Sequence, residues 1–253
     1  MLNIVIPMAG LGSRFSHAGF TDPKPFIPVK GLPMVELVIR NLRPSRPHRF
    51  IFICQQEHLE RYRFKQKLQR LAPGCEVIGL PGLTDGAACT VLAAAALIDN
   101  DQPLMIANSD QWVDSDIDAY LATMDRRELD GLLMTFHASD AKWSYVLRDE
   151  QQQVCQVVEK QVVSDEATVG IYNFRRGRDF CFQARKMVAE NERSQGEFYV
   201  APVYTRLYQN GQTRIDTYPI GTGMYGLGTP ADLATFLQSD VAEKAVSSGR
   251  VAA

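Results

Sequence analysis

The densest set of residues able to do chemistry lies between Pro7 and Pro25, PMAGLGSRFSHAGFTDPKP. An apolar run, Asn3–Met8, delivers the chain into Ala9-Gly10-Leu11-Gly12-Ser13-Arg14. Small residues there let backbone N–H groups approach an anion with no Cβ in the way, and successive amides of such a turn form a concavity suited to phosphate. Arg14 and Lys24 add two cations. Lys24 stands between Pro23 and Pro25, which restrict both flanks, so its ammonium is carried by a stiff segment that a solvated lysine does not need. A Rossmann loop would want Gly-x-Gly-x-x-Gly opening a helix, but position 15 is Phe and prolines follow at 23 and 25. A Walker A loop would want Gly-Lys-Ser/Thr, which is missing. A triphosphate grip built on Arg14 and Lys24 and a plain tight turn remain as readings of the loop.

A second group follows a short apolar run at Leu104–Ala107: Asn108-Ser109-Asp110. A carboxylate at the C-terminal edge of a strand beside a phosphate loop suits Mg2+, which takes one or two carboxylates plus phosphate oxygens and water. Asp110 is therefore the candidate metal ligand, with a turn aspartate as its plainer alternative. Asp114, Asp116 and Asp118 are not an EF-hand, because the sixth and twelfth positions are Ala119 and Asp125. They read as a D-x-D metal motif of a glycosyltransferase that uses a nucleotide sugar, or as a helix cap with an acidic first turn. Thr84 and Asp85 read as caps of the following Ala-rich helix. The four histidines make no H-E-x-x-H or zinc spacing, and the five cysteines make no C-x-x-C pair. Reduced thiols in a cytosolic protein are the expectation.

The elements that must position these residues follow from periodicity. Phe50–Cys54, Glu76–Leu80, Leu104–Ala107 and Leu132–Phe136 join Asn3–Met8 as short apolar strands. Between them, Met34–Leu42 (stopped by Pro44), Leu59–Leu71, Ala87–Ile98 and Ile117–Met124 read as helices. Apolar strands alternating with helices predict an α/β fold, a mostly parallel sheet flanked by helices. After Asp140 the rhythm changes: Trp143–Leu147, Val154–Val158 and Gly170–Phe174 are strand-like with no helix between them, a β-rich insertion. Helices are then expected over Asp179–Ala189, Phe198–Tyr208 and Pro230–Leu237, the last capped by Thr229, with a strand over Arg214–Tyr218. The tail SSGRVAA is expected to fray. One domain over residues 1–253 is expected, with a first half to about 140 and a second from 141 to 240.

The 253 residues carry 27 Lys and Arg against 29 Asp and Glu, a formal charge of -2. That balance lacks the basic footprint of a duplex nucleic-acid binder, so no nucleic-acid partner is expected. The locally basic stretch Arg40–Arg70 reads as a solvated face or an anion-binding surface. Hydrophobic residues at 45% and charged ones at 22% exclude a disordered or fibrous chain. MLNIVIPMAG is not a secretory leader. The longest apolar stretch, Ala87–Ile98, is well short of the ~20 residues a bilayer needs. A cytoplasmic protein without a membrane partner is expected. A homo-oligomer is compatible with the sequence.

The combination Gly10-x-Gly12-Ser13-Arg14-Phe15, then Pro23-Lys24-Pro25, then Val29-x-Gly31-x-Pro33-Met34 resembles the opening of the nucleotidyltransferases that activate sugar 1-phosphates and related phosphomonoesters. The likeness extends loosely from about residue 3 to 237. It implies a Rossmann-like nucleotidyltransferase fold, shared with A-type glycosyltransferases, and transfer from an NTP to a small phosphomonoester with release of pyrophosphate. It implies that Ala9, Gly10, Gly12 and Ser13 hold the nucleotide, that Arg14 faces the departing pyrophosphate, and that Lys24 neutralises phosphate at the reacting centre. Gly86 would border the base. Asp110 would hold Mg2+. Glu159, Lys160, Gly170 and Glu197, in segments resembling the family's E-K-P, G-x-Y and helix-start motifs, would bind the acceptor; Gln161 departs from the E-K-P pattern. A larger departure lies at Met224–Pro230, which resembles W-x-D-x-G-T-P but places Gly226 where a second magnesium aspartate would stand. Asp216 and Asp232 are candidates for its replacement. Rival readings are the D-x-D glycosyltransferase and a nucleotide-binding protein that turns nothing over.

Overall fold

The structure is a computed structural model, and it describes residues 1–211 and 213–247. In chain order the elements are β1 (Leu2–Met8), α1 (Ser13–His17), a 3-10 turn (Lys24–Phe26), β2 (Pro28–Val29), β3 (Leu32–Pro33), α2 (Met34–Leu42), β4 (His48–Gln55), α3 (Gln56–Arg61), α4 (Phe64–Leu71) and β5 (Glu76–Leu80). There follow α5 (Ala87–Leu92), α6 (Ala95–Ile98), β6 (Leu104–Ala107), β7 (Gln111–Val113), α7 (Ile117–Arg126), β8 (Gly131–His137), β9 (Ser144–Arg148), β10 (Val154–Glu159) and β11 (Glu166–Phe174). The chain ends with α8 (Gly177–Ala189), α9 (Pro202–Gln209), β12 (Ile215–Pro219), β13 (Met224–Gly226), α10 (Pro230–Gln238) and α11 (Val241–Ser247).

Nine strands form one mixed sheet. Its path runs β10-β9-β11-β6-β1-β4-β5, with β8 pairing β11 and β12. β6, β1, β4 and β5 are parallel, in register Ile4↔Phe50 and Ile4↔Met105, and β12 lies parallel to β8. The strands expected as an insertion are part of this sheet, because β11 runs antiparallel to β6 and carries β9 and β10 outward with it. Both faces of the central strands are buried, which explains why they read as unbroken apolar runs. Ile4, Ile6, Phe50 and Phe52 face a core with α2, α4 and α7. Val5, Ile51 and Ile53 face another with α5, α8 and α9. A third cluster of Phe15, Ile27, Trp112, Leu227 and Phe236 lies under the glycine loop.

Three expected helices differ from observation. The span Leu59–Leu71 is broken at Tyr62–Arg63, where Arg63 has φ of 55°. Leu59 and Phe64 would lie roughly 140° apart on a continuous helix; the break lets Phe64 and Leu68 enter the core while Leu59 stays packed against it. Ala87–Ile98 tightens at Ala93 and Ala94, which bond back to Thr90 and Val91. The helix expected from Phe198 starts only at Pro202, because the Phe198 backbone is engaged elsewhere: its N–H donates to Asp85 O and its carbonyl accepts from Ala88 N. The rest of the tail expected to fray, after Ser247, lies outside the described residues. Among the described residues no helix is long and apolar enough to cross a membrane.

Candidate active site

The parallel strands end on one edge of the sheet, where ligands of open α/β sheets bind. There the chain leaves β1 for the glycine loop. The loop is pinned from β4 by the buried Gln55, whose Nε2 donates to Ala9 O. Gly12 precedes α1 with φ of 64°. Lys24 lies against it, so closely that a Cβ at position 12 would stand 3.1 Å from Lys24 Cβ. The 3-10 turn, closed by Phe26 N to Pro23 O at 2.8 Å, presents the Lys24 ammonium to the Asp110 carboxylate, and the two form an ion pair. Asp110 follows β6, and its carbonyl accepts from Leu227 N at 2.8 Å, which lays the segment after β13 over the pair.

These groups line a cleft of about 450 Å³ whose walls include Ala9, Gly10, Gly12, Lys24, Gly86, Asn108, Asp110 and Glu197. A smaller cavity of about 250 Å³ adjoins it, lined by Lys142, Trp143, Glu159, Lys160, Gly170 and Tyr199 among others. Both cavities share Pro7, Ala87 and Asn108. The sequence expectations thus converge on two adjoining spaces. Three residues sit differently. Ser13 and Arg14 lie exposed on α1, outside both linings. Glu197, expected with the acceptor residues, is on the wall of the larger cleft.

The smaller cavity has an acidic floor and basic mouth. Glu159 is buried and accepts from Ser144 Oγ at 2.7 Å. Burial pushes its carboxyl above the usual range, against the lowering pull of the Ser144 hydroxyl and of Lys160. Lys160 holds an uncommon left-handed conformation, φ 53°, with its N–H donating to Trp143 O and its ammonium to Tyr199 Oη at 2.7 Å. A carboxyl raised by folding contributes stability below its unfolded pKa and loses it as pH rises through the folded value. Glu159→Gln keeps the Ser144 bond and removes the titration. Its melting temperature relative to wild type is therefore expected to rise as the pH is raised above the ordinary carboxylate range; a difference that stays flat throughout refutes the assignment.

Gly86 binds the two halves of the site together. Its φ of 116° belongs to glycine, and a Cβ there would stand 2.5 Å from Phe198 O and 2.7 Å from Phe198 N. Thr84 supports the turn through hydroxyl bonds to Gly86 O at 3.2 Å and Thr90 Oγ1 at 2.6 Å, while Asp85 pairs with Arg193 rather than capping α5. Gly86→Ala is expected to cost about 3 kcal/mol, roughly 6–12 °C in melting temperature for a chain of this size. Thermal melts of the variant check this, and a shift under 2–3 °C, small against the scale of ~2–4 °C per kcal/mol, contradicts it.

The candidates to replace a carboxylate at Gly226 separate clearly. Asp216 is committed to Arg127 and to Arg148, the latter at 3.3 Å. Asp232 lies beside Gly226, 4.0 Å from where a Cβ would stand, and accepts from Thr229 Oγ1 at 2.7 Å. Among the described residues no three His, Cys, Asp or Glu side chains group to hold a metal ion. Two carboxylates of the described residues stand on the cleft wall, Glu197 and Asp110, and Asp110 is the hard oxygen donor beside Lys24. That donor fits Mg2+, which accepts a single carboxylate when phosphates and water complete its shell. The D-x-D carboxylates serve local structure: Asp116 caps α7 through Asp118 N and Ala119 N, Asp118 accepts from Ser45 N, and Asp114 pairs with Lys244.

Residues 4–240 match the Nucleotidyl transferase family. The chain belongs to that family. No curated protein matches this nucleotidyl transferase. Among solved structures it is similar to the nucleoside-diphosphate-sugar pyrophosphorylase of Vibrio cholerae RC9, with 28% identity and a TM-score of 0.79 over 93% of this chain and 100% of that one. It shares its fold with a Bacillus anthracis protein described as a glucose-1-phosphate thymidylyltransferase, crystallised with a sucrose, at 16% identity and a TM-score of 0.74, covering 93% of each chain.

Asn108 was not among the residues singled out for a role, although it stands two positions before Asp110. No local signal marks it, because its importance comes from the junction of two cavities that only the fold creates. Gln55 and Phe198 carry no local signal either, because each matters through bonds to the backbone of residues far away in sequence, Gln55 to Ala9 and Phe198 to Asp85 and Ala88.

Proposed function

We propose that this nucleotidyl transferase joins an NTP to a sugar 1-phosphate or similar small phosphomonoester, releasing pyrophosphate and forming an NDP-activated precursor for surface polysaccharide or a related glycoconjugate. The observation that carries the reading is the pair of adjoining cavities. One holds a glycine loop and a fixed lysine suited to a triphosphate. The other has the size and the mixed charge for a small phosphorylated acceptor. The similarity to the Vibrio cholerae pyrophosphorylase supports it.

In this reaction an oxygen of the acceptor phosphate forms a bond to the α-phosphorus, and the bond from that phosphorus to the bridging oxygen of the β-phosphate breaks. The electron pair leaves with pyrophosphate. A phosphate oxygen is already ionised near neutral pH, so no strong general base is needed, which agrees with the dispersed histidines. The difficulty is the approach of two polyanions and the growth of charge on the leaving group. Lys24 opposes both as a preorganised cation on a stiff turn. Arg14, on α1 directly after the loop, is suited to the pyrophosphate as it departs into solvent. Lys160 and Lys142 steady the acceptor phosphate, and Glu159 accepts hydrogen bonds from its polar end. Mg2+, when bound by Asp110 and the phosphates, supplies neutralisation of phosphate charge. Alignment of the two phosphates by the adjoining walls supplies the rest. Five free cysteines and an NTP substrate both suit the cytoplasm.

Pyrophosphate release measured for each of the four common NTPs against a panel of phosphomonoesters tests the proposal. One productive pair is expected to stand well above the others. Consumption of a nucleotide sugar without pyrophosphate would indicate the glycosyltransferase reading, and NTP binding with no turnover the non-catalytic one.

A further inference from the structure

Asn108 is, among the described residues, the one polar side chain common to the linings of both cavities. It is exposed to them at the end of β6. Its backbone is fixed by donation from Asn108 N to Gly170 O at 3.0 Å. Its side chain is fixed by donation from Nδ2 to Gln111 Oε1 at 3.4 Å. Gln111 is itself buried on β7, with an Nε2 that has no partner in the protein. Gly170 supplies the room: its φ is 88°, and a Cβ there would stand 2.1 Å from Asn108 Nδ2 and 3.1 Å from Gln111 Oε1. A side chain at 170 would displace the carboxamide. Three elements thus converge to hold one neutral amide at the wall between the two spaces, leaving its Oδ1 and second Nδ2 hydrogen to the cavities.

Resting on the nucleotidyl-transfer reading, we propose that Asn108 contacts both substrates, donating its second Nδ2 hydrogen to a phosphate oxygen at the point where acceptor and NTP meet. Gln111 and Gly170 are its positioning residues. Charge explains the residue type. Two polyanions are brought together there, and a carboxylate at 108 would add a third negative charge. An amide contributes a directed donor, already oriented, where negative charge is densest during transfer. It adds no second cation to hold the products.

The test compares Asn108→Ala and the isosteric Asn108→Asp with wild type. It uses the fastest pair among the four NTPs and glucose 1-phosphate, mannose 1-phosphate, glycerol 3-phosphate and phosphocholine. NTP affinity without acceptor is measured by calorimetry, and folding by melting temperature. Loss of one preorganised donor is expected to lower kcat by about 30-fold or more in the alanine variant, with NTP affinity changed less than about threefold, and the aspartate variant is expected to be at least tenfold slower again. An aspartate variant as active as the alanine variant, or both variants within threefold of wild type, overturns the assignment, because a purely structural amide tolerates its isostere better than truncation. Should the alanine variant fail to fold, Asn108→Ser takes its place in the comparison. A wild type that releases no pyrophosphate from any pair removes the underlying reading, and this assignment with it. A working wild type with indifferent variants removes the assignment alone.

Discussion

Lys24→Ala is expected to leave a folded protein whose pyrophosphate release is slower by about 10³-fold, near 4 kcal/mol of transition-state stabilisation. The fold should survive because the Lys24–Asp110 pair is partly open to solvent, with side chains 22% and 27% exposed, and such pairs contribute little to stability. The rate should not survive, because no other described cation lines the larger cleft. The backbone there is arranged around this side chain: Pro23 and Pro25 restrict its flanks, the 3-10 turn aims it, and Gly12 leaves it room. Lys24→Arg should rescue only in part, since the larger planar guanidinium meets Gly12 on one side and Gly228 on the other. Steady-state pyrophosphate release and a melting curve for each variant check the prediction. Turnover within threefold of wild type for Lys24→Ala removes Lys24 from the mechanism.

Asp110→Asn is the second large effect. The substitution keeps shape and removes the carboxylate beside Lys24, the group proposed to hold Mg2+. Turnover is expected to fall on the order of 10²-fold or more, by comparison with removal of a single preorganised group. The Mg2+ concentration for half-maximal rate is expected to rise by roughly tenfold, because a neutral amide oxygen is a weaker ligand for a hard cation. The second readout separates a ligand from a simple partner of Lys24. If Asp110 acts only to orient Lys24, the rate falls while the Mg2+ midpoint stays in place. Titration of Mg2+ at saturating substrates distinguishes the two. EDTA is expected to silence the wild type, with recovery on addition of Mg2+. Asp232, beside Gly226, is the natural control: if it shares the cation, Asp232→Asn shifts the midpoint as well.

What could be read along the chain was whatever is dictated by near neighbours. The runs Asn3–Met8 and Phe50–Cys54 declare themselves as doubly buried strands because consecutive apolar residues can satisfy both faces of a central strand and little else. Lys24 is conspicuous because proline restricts the residues on either side of it, a strictly local effect. The small residues of the glycine loop and the Thr229-Pro230 helix start belong to the same kind of signal. The folded chain alone decided matters settled by residues far apart in number. β11 pairs with β6 across a long separation in sequence, and that pairing builds the second cavity with its Glu159. The stretch from Phe198 looks helical by composition, yet Asp85 and Ala88 engage its backbone across a separation of more than a hundred residues, so the helix waits for Pro202. Asn108 carries no mark in its surroundings, since a junction between two spaces is a property of packing. Local preference is written in residue types and spacing, whereas a meeting place is produced by long-range pairing, whose free energy no short window of sequence contains.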